Sequence, residues 1–419
     1  MQEKSLGEWL AWLEQLHPAT IELGLERVGE VAARAGLLPV PFPIITVGGT
    51  NGKGSVCAIL ESVLNAAGFR VGLYTSPHLL DYNERVRLAG RNADDEVLCQ
   101  AFAHVEQARG DTSLTYFEYG TLGAMQAFVE HGVDIAILEV GLGGRLDAVN
   151  LWDAEVSVIT SLGLDHTDWL GDTLDAIAGE KVCIARAGKP LVVAEPNPPA
   201  RLTDDAARLG AQLVLRGRDY DYTESRNELW DFTGEGCAMA SLPAPLLSGR
   251  IRYVNAATAV QVLAFLDLPI SREAIEQGLR EVNLQARLQS VVYRGVECLF
   301  DVSHNPQAVG HLERYLAENP AQGVNRAVIG FMADKAVPAM LSAVQSHISH
   351  WYTGDLCMPR AMPPENLARQ LTADASGPVS THATLLEAFE QAVSDAVPGD
   401  RVLVWGSFIT VAAVLGKVL

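Results

Sequence analysis

Positively charged residues are scarce in this sequence of 419 residues: 31 lysines and arginines stand against 51 aspartates and glutamates, a formal net charge of −20. A surface of that sign repels nucleic acid and anionic membranes, so we expect neither as a partner. An acidic protein that binds a polyphosphate must concentrate its few cations locally. Each basic residue near a glycine-rich loop therefore becomes a candidate for binding.

Cysteines are also few, and they form no C-x-x-C pair and no zinc-type spacing with histidines. The six are Cys57, Cys99, Cys183, Cys237, Cys298 and Cys357. This scatter argues against a zinc site and against a disulfide framework. We predict small, buried side chains in a reducing compartment.

Long apolar runs are absent, which argues against a membrane-spanning helix. The N-terminal segment is amphipathic instead, with two glutamates among its apolar residues: Glu8, Trp9, Leu10, Trp12, Leu13, Glu14 and Leu16. That pattern predicts a surface helix and not a signal peptide, so we expect a cytoplasmic protein.

Length and composition favour two globular domains. Hydrophobic residues make up 48% of the chain and charged residues 20%, which is typical of folded domains. A chain of this length exceeds what one core usually holds. We place the domains at 1–285 and 286–419, although no Gly/Ser linker, repeat or low-complexity tract marks the junction.

Short apolar strands alternating with helical stretches predict an α/β fold for both domains. The first is expected to be P-loop ATPase-like with a mostly parallel sheet, and the second a smaller Rossmann-like unit. Strands are predicted at 44–47, 71–75, 135–140, 156–160, 290–293, 298–302, 327–331, 350–352 and 402–405. Helices are predicted at 55–67, 96–108, 120–131, 255–266 and 271–280. Residues 190–252, rich in proline, predict antiparallel strands and loops.

The heptapeptide Gly49-Thr50-Asn51-Gly52-Lys53-Gly54-Ser55 has the composition and context of a phosphate-binding loop. Glycine N–H groups, a helix N-terminus and a lysine would meet there, and the serine hydroxyl would reach a phosphate-bound Mg²⁺. The pattern departs from G-x-x-x-x-G-K-[ST] because Val47 replaces the first glycine and Gly54 is inserted before the serine. An ordinary glycine turn is the alternative, which the flanking strand and helix disfavour.

Polar residues follow several predicted strands, at the edge where such sheets bind ligands. Glu139 ends an apolar strand, Ser76-Pro77-His78 follows another, and His166 follows a third. Beside a phosphate loop, the carboxylate is a candidate Mg²⁺ ligand. A strand cap, a proline turn and a structural histidine are the respective alternatives.

Other positions stay open on residue chemistry alone. Lys181, beside Glu180 on a predicted helix, is either a solvated lysine or a site residue. Asp301 and His304 either contact a nucleotide or cap and turn the chain, and the role of Arg287 is equally open. Asn255 is either a site residue or the N-cap of the helix that follows it.

A set of longer motifs in fixed order resembles the folylpolyglutamate synthase family of the Mur ligase superfamily, in particular its bacterial members that also act as dihydrofolate synthases. The motifs are GTNGKGS at 49–55, SPH at 76–78, YFEYGT at 116–121, EVGLGGRLD at 139–147, DH at 165–166, EK at 180–181 and D…HNP at 301–306. The resemblance spans nearly the whole chain, from TIELGLERV at 20–28 to WGSF at 405–408.

The resemblance implies an ATP-dependent ligase that joins L-glutamate to 7,8-dihydropteroate and to the terminal glutamate of folates. ATP would be split to ADP and phosphate, with Mg²⁺ at two sites and K⁺ as a further stimulant. Residues 1–285 would be the ATP-binding domain, of the Mur ligase central type, and residues 286–419 the glutamate ligase domain. The expected partners are these small molecules, and the expected state is a monomer.

The resemblance also implies roles for individual residues. The nucleotide would be bound by Thr50, Asn51, Gly52, Lys53, Gly54, Ser55, Asn255, Arg287, Asp301 and His304. Metal ligands would be Ser76, Glu139 and His166, and catalysis would depend on Lys53, His166 and a carbamylated Lys181. The pterin or folate would be held by Ile21, Glu22, Leu23, Thr115, Tyr116, Phe117, Glu118, Tyr119, Gly120, Thr121, Leu122, Leu146, Asp147 and Ala148.

The chain departs from the family pattern at a few positions. Ala286 stands before Arg287 where glycine is usual, Ser303 replaces an alanine, and Val182-Cys183 replaces Ala-Gly after Lys181. The first could shift Arg287 slightly and the last could crowd the backbone near a second metal. None of them removes a charged group.

Two other functions compete with folate ligation. A cell-wall ligase of the same superfamily would carry a further N-terminal domain, whereas only about forty residues precede the loop at 49–55 here. A non-ligase nucleotide switch specific for guanine would show N-K-x-D, which the sequence lacks. The switch also leaves the 301–306 motif and the second domain unexplained.

Overall fold

The structure is a computed structural model that describes residues 4–19, 21–373 and 377–419. Its described residues separate into two compact units. Those within Met1–Leu246 and Arg252–Val282 form the first unit, and those within Leu247–Ile251 and Asn283–Leu419 form the second. The predicted functional boundary at 285/286 is kept as a proposal.

The first unit contains a large sheet, a small sheet and the helices around them. Its strands are β1 (Ile44–Gly48), β2 (Val71–Tyr74), β3 (Val86–Leu88), β4 (Arg91–Asn92), β5 (Ile135–Glu139), β6 (Val156–Ile159), β7 (Pro190–Val193), β8 (Gln212–Leu215), β9 (Asp221–Glu224), β10 (Leu229–Gly234) and β11 (Cys237–Pro243). Its helices are α1 (Leu6–Leu16), α2 (Glu26–Arg34), α3 (Lys53–Ala66), α4 (Asp95–Arg109), α5 (Tyr116–Glu130), α6 (Thr167–Leu170), α7 (Leu174–Lys181), α8 (Ala200–Leu209), α9 (Ile251–Ala264) and α10 (Arg272–Glu281).

The large sheet has eight strands in the order β4-β3-β2-β5-β1-β6-β7-β8. The six strands from β2 to β8 in that order run parallel, and β3 and β4 add an antiparallel edge. Every residue of β1, β5 and β6 is buried, as expected for parallel strands covered on both faces. The mostly parallel sheet predicted for this half is confirmed.

The N-terminal helix α1 begins with a capping box in which the side chains of Ser5 and Glu8 each bond to the other's backbone N–H. Its apolar face buries Leu6, Trp9 and Leu13 in the core of the first unit. The predicted amphipathic helix is therefore confirmed. Among the described residues, no helix is both long and apolar enough to cross a membrane.

Residues 190–252 differ from the prediction in part. The antiparallel patch is present as the sheet β11-β10-β9. However, β7, α8 and β8 precede it and extend the large parallel sheet. The proline cluster 196–199 lies between β7 and α8 and ends the strand, which made the whole segment look irregular in sequence.

The second unit is a smaller α/β fold. Its strands are β12 (Gln289–Tyr293), β13 (Val296–Asp301), β14 (Asn325–Ile329), β15 (Ile348–Gly354), β16 (Val379–His382) and β17 (Arg401–Trp405). Its helices are α11 (Pro306–Glu318), α12 (Val337–Val344), α13 (Pro364–Ala373), α14 (Leu385–Asp395) and α15 (Phe408–Val418). The order is β12-β13-β17-β14-β15-β16, parallel except at β12. The Rossmann-like prediction is confirmed, and β16, a half-exposed edge strand, was missed.

The cysteine prediction needs one correction. All six cysteines lie within the described residues, and none of them forms a disulfide there. Only Cys57 and Cys298 are buried, while Cys357 is exposed and the other three are half-buried.

Candidate active site

Four neighbouring strands bring most candidates of the first unit to one edge of the large sheet. In the register of β5, β1 and β6, Val47 lies between Glu139 and Val158. The phosphate loop after β1, the carboxylate at the end of β5 and the segment after β6 therefore lie side by side. Ser76 follows β2, the next strand in the order, and its N–H donates to Glu139 Oε2 at 3.4 Å.

The phosphate loop is fastened by residues that follow β6. Thr50 N donates to the Ser161 carbonyl at 2.8 Å, and Asn51 N donates to Ser161 Oγ at 3.0 Å. Thr160 Oγ1 donates to the Asn51 carbonyl at 2.7 Å. Thr160 and Ser161 were missed in the sequence, where two hydroxyls after a strand carry no distinctive signal.

Glycine is required at two points of this loop. Gly49 has φ +139° and no room for a side chain, because a Cβ would overlap Thr160 Oγ1. Gly52 has φ +90°, and a Cβ there would lie 2.9 Å from Asn255 Oδ1. Asn255 is therefore at the loop, inside α9 and buried, so the N-cap alternative is wrong.

Two lysines converge on one carbonyl oxygen of the loop. Lys53 Nζ donates to the Gly49 carbonyl at 3.1 Å and to the Thr50 carbonyl at 3.2 Å. Lys181 Nζ, at the end of α7, donates to the same Gly49 oxygen at 3.1 Å. The solvated-lysine alternative for Lys181 is wrong, because the residue is only 5% exposed.

The ammonium group of Lys181 is held under unfavourable conditions. Burial and, after it, the neighbouring charge of Lys53 lower its pKa to about 7, against the opposing effect of Asp165 and Asp147. Desolvation and a like charge both disfavour the protonated amine. A lysine perturbed in this way beside a phosphate loop is a candidate functional residue.

The glycine motif after β5 explains how Lys181 reaches the loop. A Cβ on Gly144 would lie 2.7 Å from the Glu180 carbonyl and 3.1 Å from Lys181 Cα, so only glycine lets α7 approach this closely. Arg145 Nη2 pairs with Glu180 Oε1 at 2.8 Å and holds the same helix end. In this way the motif joins the Glu139 strand to the lysine.

Asp147 ends that motif and fastens it. Its carboxylate accepts Leu142 N at 2.8 Å and Val149 N at 3.0 Å. Burial raises its pKa to about 6, although these backbone donors oppose the shift. Both oxygens thus already serve the backbone of the turn, and a contact with a ligand stays a prediction.

The predicted metal ligands are a hydroxyl, a carboxylate and an imidazole; Ser76 and Glu139 meet at the sheet edge, and His166 lies seven residues beyond the end of β6. Oxygen-rich donors of this kind suit Mg²⁺ or Mn²⁺. Within the described ranges, no three histidine, cysteine, aspartate or glutamate side chains gather into a metal centre. A divalent cation bound together with a nucleotide takes part of its ligands from phosphate oxygens.

The candidate pterin residues at the start of α5 lie in three different surroundings. Thr115 caps the helix, and its capping box includes Glu118. Tyr119 and Leu122 are fully buried in the core of the first unit. Phe117 is half-buried, with its ring 5.9 Å from that of Tyr74 and against Gly141.

An aromatic and basic cluster that the sequence did not reveal lies beside these residues. The Arg85 guanidinium is 5.5 Å from the Tyr82 ring centre and 5.6 Å from the Tyr116 ring centre, distances typical of cation–π contacts. Arg85 Nε also donates to His78 Nδ1 at 2.8 Å. Burial, followed by the charge of Arg85, lowers the pKa of His78. The earlier segment 21–23 is described too, whereas Thr20 lies outside the described residues.

The second unit gathers its own three candidates, Arg287, Asp301 and His304, at the carboxyl end of β13. Asp301 accepts Leu288 N and Ser303 N, both at 2.9 Å, and also the Ser303 hydroxyl. The Arg287 guanidinium lies 5.1 Å from the ring centre of Phe408, and the ring centre of His304 lies 6.1 Å from that same Phe408 ring centre. Phe408 was not predicted as a site residue, although WGSF marked its segment.

Comparison with known proteins defines the class first. The Mur ligase middle domain matches residues 47–222, and the Mur ligase glutamate ligase domain matches residues 286–408. These two domains, together with the phosphate loop and its lysines, are the parts of a Mur-type ligase.

Full-length relatives then narrow the class. The dihydrofolate synthase/folylpolyglutamate synthase of Escherichia coli (strain K12) is 44% identical over 411 residues, covering 98% of this chain and 94% of the relative. The protein of that name from Haemophilus influenzae is 39% identical over 426 residues, covering 97% and 96%. The chain therefore belongs to the dihydrofolate synthase/folylpolyglutamate synthase family, and the resemblance inferred from its motifs is confirmed.

Solved structures agree. E. coli FolC in complex with DHPP and ADP matches with a TM-score of 0.93 and 44% identity, covering 99% of this chain and 97% of that one. A bifunctional folylpolyglutamate synthase/dihydrofolate synthase with Mn, AMPPNP and L-glutamate bound matches with a TM-score of 0.91 and 44% identity, covering 99% and 98%. The predicted two-domain α/β fold is thus that of the family.

Proposed function

We propose that this protein is an ATP-dependent ligase that joins L-glutamate to 7,8-dihydropteroate and to the γ-carboxyl of tetrahydrofolates. The observation that carries the proposal is the meeting of Lys53 Nζ and the buried Lys181 Nζ at the Gly49 carbonyl, both at 3.1 Å. Relatives with 44% and 39% identity bear the two activities in their names.

The reaction places a specific demand on these residues. A carboxylate is a poor electrophile, so its oxygen first attacks the γ-phosphorus of ATP, and ADP leaves. The resulting acyl phosphate is attacked at carbon by the glutamate amine, which loses a proton as inorganic phosphate leaves. Phosphoryl transfer between two anions needs alignment and charge neutralisation, which loop N–H groups and Lys53 supply.

Nucleotide binding is assigned to two groups of residues. The loop residues Thr50–Ser55 would cradle the phosphates, with Asn255 beside Gly52. The second group is Arg287, Asp301 and His304, in the proposed ligase domain 286–419. Support for the second group is their common location around Phe408 and the 301–306 turn.

A divalent cation is assigned to Ser76, Glu139 and His166. When bound there, the cation would offset the charge of the phosphate oxygens. Related structures contain Mn with AMPPNP, so one divalent site with ATP is well supported. A second Mg²⁺ site and stimulation by K⁺ are finer proposals.

Lys181 is proposed to be carbamylated on its side-chain amine. An amine with a pKa near 7 is substantially neutral at neutral pH, and a neutral amine adds to CO₂ with release of a proton. The carbamate would convert an unfavourable buried cation into a carboxylate-like group that neighbours Lys53. That change would relieve the like-charge contact and would help to hold a second metal.

The pterin is assigned to residues 21–23, 115–122 and 146–148. Support comes from the half-buried aromatic surface around Phe117 and Tyr116. A flat heterocycle stacks well on such rings. We also propose a cytoplasmic monomer without nucleic-acid or membrane partners, on the grounds of its acidic charge of −20.

Phosphate release from Mg-ATP and L-glutamate tests the function, with dihydropteroate, tetrahydrofolate or neither added. Release that needs dihydropteroate supports the dihydrofolate synthase, and release with tetrahydrofolate supports polyglutamylation as well. Release with neither acceptor would contradict the proposal. The cell-wall alternative is not favoured, because the full-length relatives are folate enzymes.

A further inference from the structure

The connection between α1 and α2 is held by side chains more than by backbone. It contains the proposed pterin residues 21–23, and its described residues, 17–19 and 21–25, form neither helix nor strand. Among the described residues, no backbone–backbone hydrogen bond involves residues 21–24. A segment of this kind is ordered only as well as its side-chain contacts allow.

Glu22 provides most of those contacts. His17 Nε2 lies 2.8 Å from Glu22 Oε2, and the guanidinium of Arg27 pairs with Glu22 Oε1. Arg27 Nη2 also donates to the Glu22 carbonyl at 3.4 Å. His17 itself is fixed, because Nδ1 lies 2.7 Å from Ser113 Oγ and the side chain is only 7% exposed.

The same arginine reaches the other proposed wall of the pterin site. Arg27 Nη2 donates to Glu118 Oε1 at 3.1 Å and to Oε2 at 3.4 Å. Glu118 is buried, and its Oε2 accepts Thr115 N at 2.7 Å within the cap of α5. One guanidinium therefore bridges the carboxylate of the connection and the carboxylate at the start of α5.

We propose that His17 and Arg27 are positioning residues that fix the 21–23 segment against the N-terminus of α5 through Glu22 and Glu118. The inference rests on the proposed function, since it concerns the pterin substrate. A segment ordered in advance lowers the entropic cost of binding, so its anchors affect pterin affinity more than they affect the phosphoryl chemistry.

Steady-state kinetics of the full-length enzyme tests this division. For Arg27→Ala, we expect the KM for dihydropteroate to rise roughly tenfold or more, with kcat and the KM values for ATP and glutamate within about twofold. Arg27→Lys keeps the charge but loses the forked geometry, so it should recover part of the loss. Unchanged KM for dihydropteroate, or a fall in kcat alone, would overturn the proposal.

Arg34→Ala is the matched control on the same helix. Arg34 also holds a distant loop, donating to the Arg109 carbonyl at 3.0 Å and to Thr112 Oγ1 at 2.6 Å. It touches neither Glu22 nor Glu118 in the contacts of the described chain. An equal rise in the dihydropteroate KM of this variant would show general loosening of α2 and would overturn the specific role.

A double-mutant cycle separates positioning from direct contact. His17→Ala and Glu22→Ala should each raise the KM for dihydropteroate, and the double variant should be little worse than Glu22→Ala alone, because His17 acts through Glu22. Fold-changes that multiply would mean independent roles and would overturn the proposal. The cycle also decides the matter if Arg27→Ala does not fold, since the Glu22 side chain is 47% exposed.

The wild-type enzyme distinguishes this inference from the proposed function. Turnover that needs dihydropteroate in the wild type, together with unaltered KM values in all variants, would remove the positioning role alone. Absence of any dihydropteroate-dependent turnover in the wild type would remove both.

Discussion

Buried charge is treated in opposite ways in the two units. In the second unit, Arg326 Nε pairs with Asp400 Oδ2 at 2.9 Å, near the amino ends of β14 and β17. In the first unit, the ammonium of Lys181 meets a carbonyl oxygen and the repulsion of Lys53 at the carboxyl end of the sheet. The charge in the second unit is compensated by its partner, whereas the charge of Lys181 is poorly compensated and lies at the edge where such sheets bind ligands.

The Asp400 carboxylate shows what compensation requires. Burial alone would raise its pKa, but the N–H groups of Val324 and Val397 and the guanidinium of Arg326 outweigh burial and leave the pKa below its usual range. For Lys181, burial and its nearest cation act in the same direction. Substitutions at the two positions should therefore affect stability with opposite sign.

Substitution of Lys181 should have the largest effect on activity, and its effect on stability should be opposite in sign to that of substituting Asp400. We expect Lys181→Ala to reduce kcat by roughly a thousandfold, with partial recovery on addition of acetate or formate in place of the carbamate. Activity that survives without rescue would contradict the catalytic role.

The effect of Lys181 on the free energy of unfolding should depend on pH. Because the folded-state pKa of Lys181 is lowered to about 7, the folded chain is penalised fully below that pH, and the penalty fades as pH rises toward the unfolded pKa of about 10.4. In bicarbonate-free buffer, Lys181→Met should raise the free energy of unfolding by about 2 kcal/mol at pH 6, and less above pH 9. Chemical denaturation at the two pH values measures the difference, and a less stable variant at pH 6 would refute it.

Asp400 should behave in the opposite way. Asp400→Ala leaves the Arg326 guanidinium buried without its carboxylate, so we expect the free energy of unfolding to fall by about 3 kcal/mol at pH 7. Because the pKa of Asp400 is lowered in the folded state, its contribution is present above the unfolded pKa of about 3.9 and is lost as pH falls through the folded pKa. The free energies of unfolding of the wild type and of Asp400→Ala should therefore begin to converge as the pH falls below about 4.

Asp134→Ala provides the control for that measurement. Asp134 pairs with Arg70 at 2.8 Å, but the two side chains are 37% and 61% exposed. A surface pair of this kind contributes at most about 1 kcal/mol. An equal loss in both variants would mean that burial of the Arg326–Asp400 pair is not what matters.

Substitution of Lys53 should reduce catalysis without the gain in stability expected for Lys181→Met. Lys53→Ala removes a cation of the phosphate loop, and we expect kcat to fall roughly a hundredfold, which corresponds to about 2.7 kcal/mol of transition-state stabilisation. Its free energy of unfolding should change less than that of Lys181→Met, because Lys53 is only half-buried. Near-normal turnover would contradict the assignment of the loop.

Ala286 should show the smallest effect. Its backbone is left-handed, with φ +57°, and its side chain is buried. Ala286→Gly relieves about 1–2 kcal/mol of strain but loses a buried methyl of about 0.8 kcal/mol and adds unfolded-state entropy of similar size. We expect a change within about 1 kcal/mol and an unchanged KM for ATP. A large rise in that KM would show that the alanine determines the position of Arg287.

Gly49→Ala is the counterpart of Ala286→Gly in the first unit. At Gly49 the Cβ has no space beside Thr160, so the loop must move. We expect the KM for ATP to rise at least tenfold, since loop N–H groups would lose their alignment.

Local pattern predicted the architecture well where strands were apolar and helices periodic. β1, β5 and β6 were predicted within about one residue, because their runs of buried aliphatic side chains have no competing interpretation. β16 was missed because Val379–His382 is short, half-exposed and polar on both sides. β7 and β8 were missed because neighbouring prolines and charged residues masked two short runs of apolar residues.

The site was predictable only where a motif fixed several residues at once. The phosphate loop and Glu139 followed from glycines, a lysine and a strand end. Lys181, Asn255 and Arg85 did not follow from local chemistry, because each acquires its surroundings from segments far away in sequence. Family resemblance supplied the first two, and Arg85 became visible only through its contacts.

The helix that starts at the phosphate loop depends on the far end of its own unit. Gly278 of α10 packs directly on Val63 of α3, where a Cβ would lie 2.5 Å from the Val63 backbone, and Ser62 Oγ donates to the Gly278 carbonyl at 2.8 Å. During synthesis, the surface of α3 that contacts α10 therefore stays uncovered until more than two hundred further residues have been made. A contact this distant in sequence slows folding and leaves apolar surface exposed to nascent-chain chaperones. Truncated chains that stop before α10 would contain the nucleotide loop without the element that completes its helix.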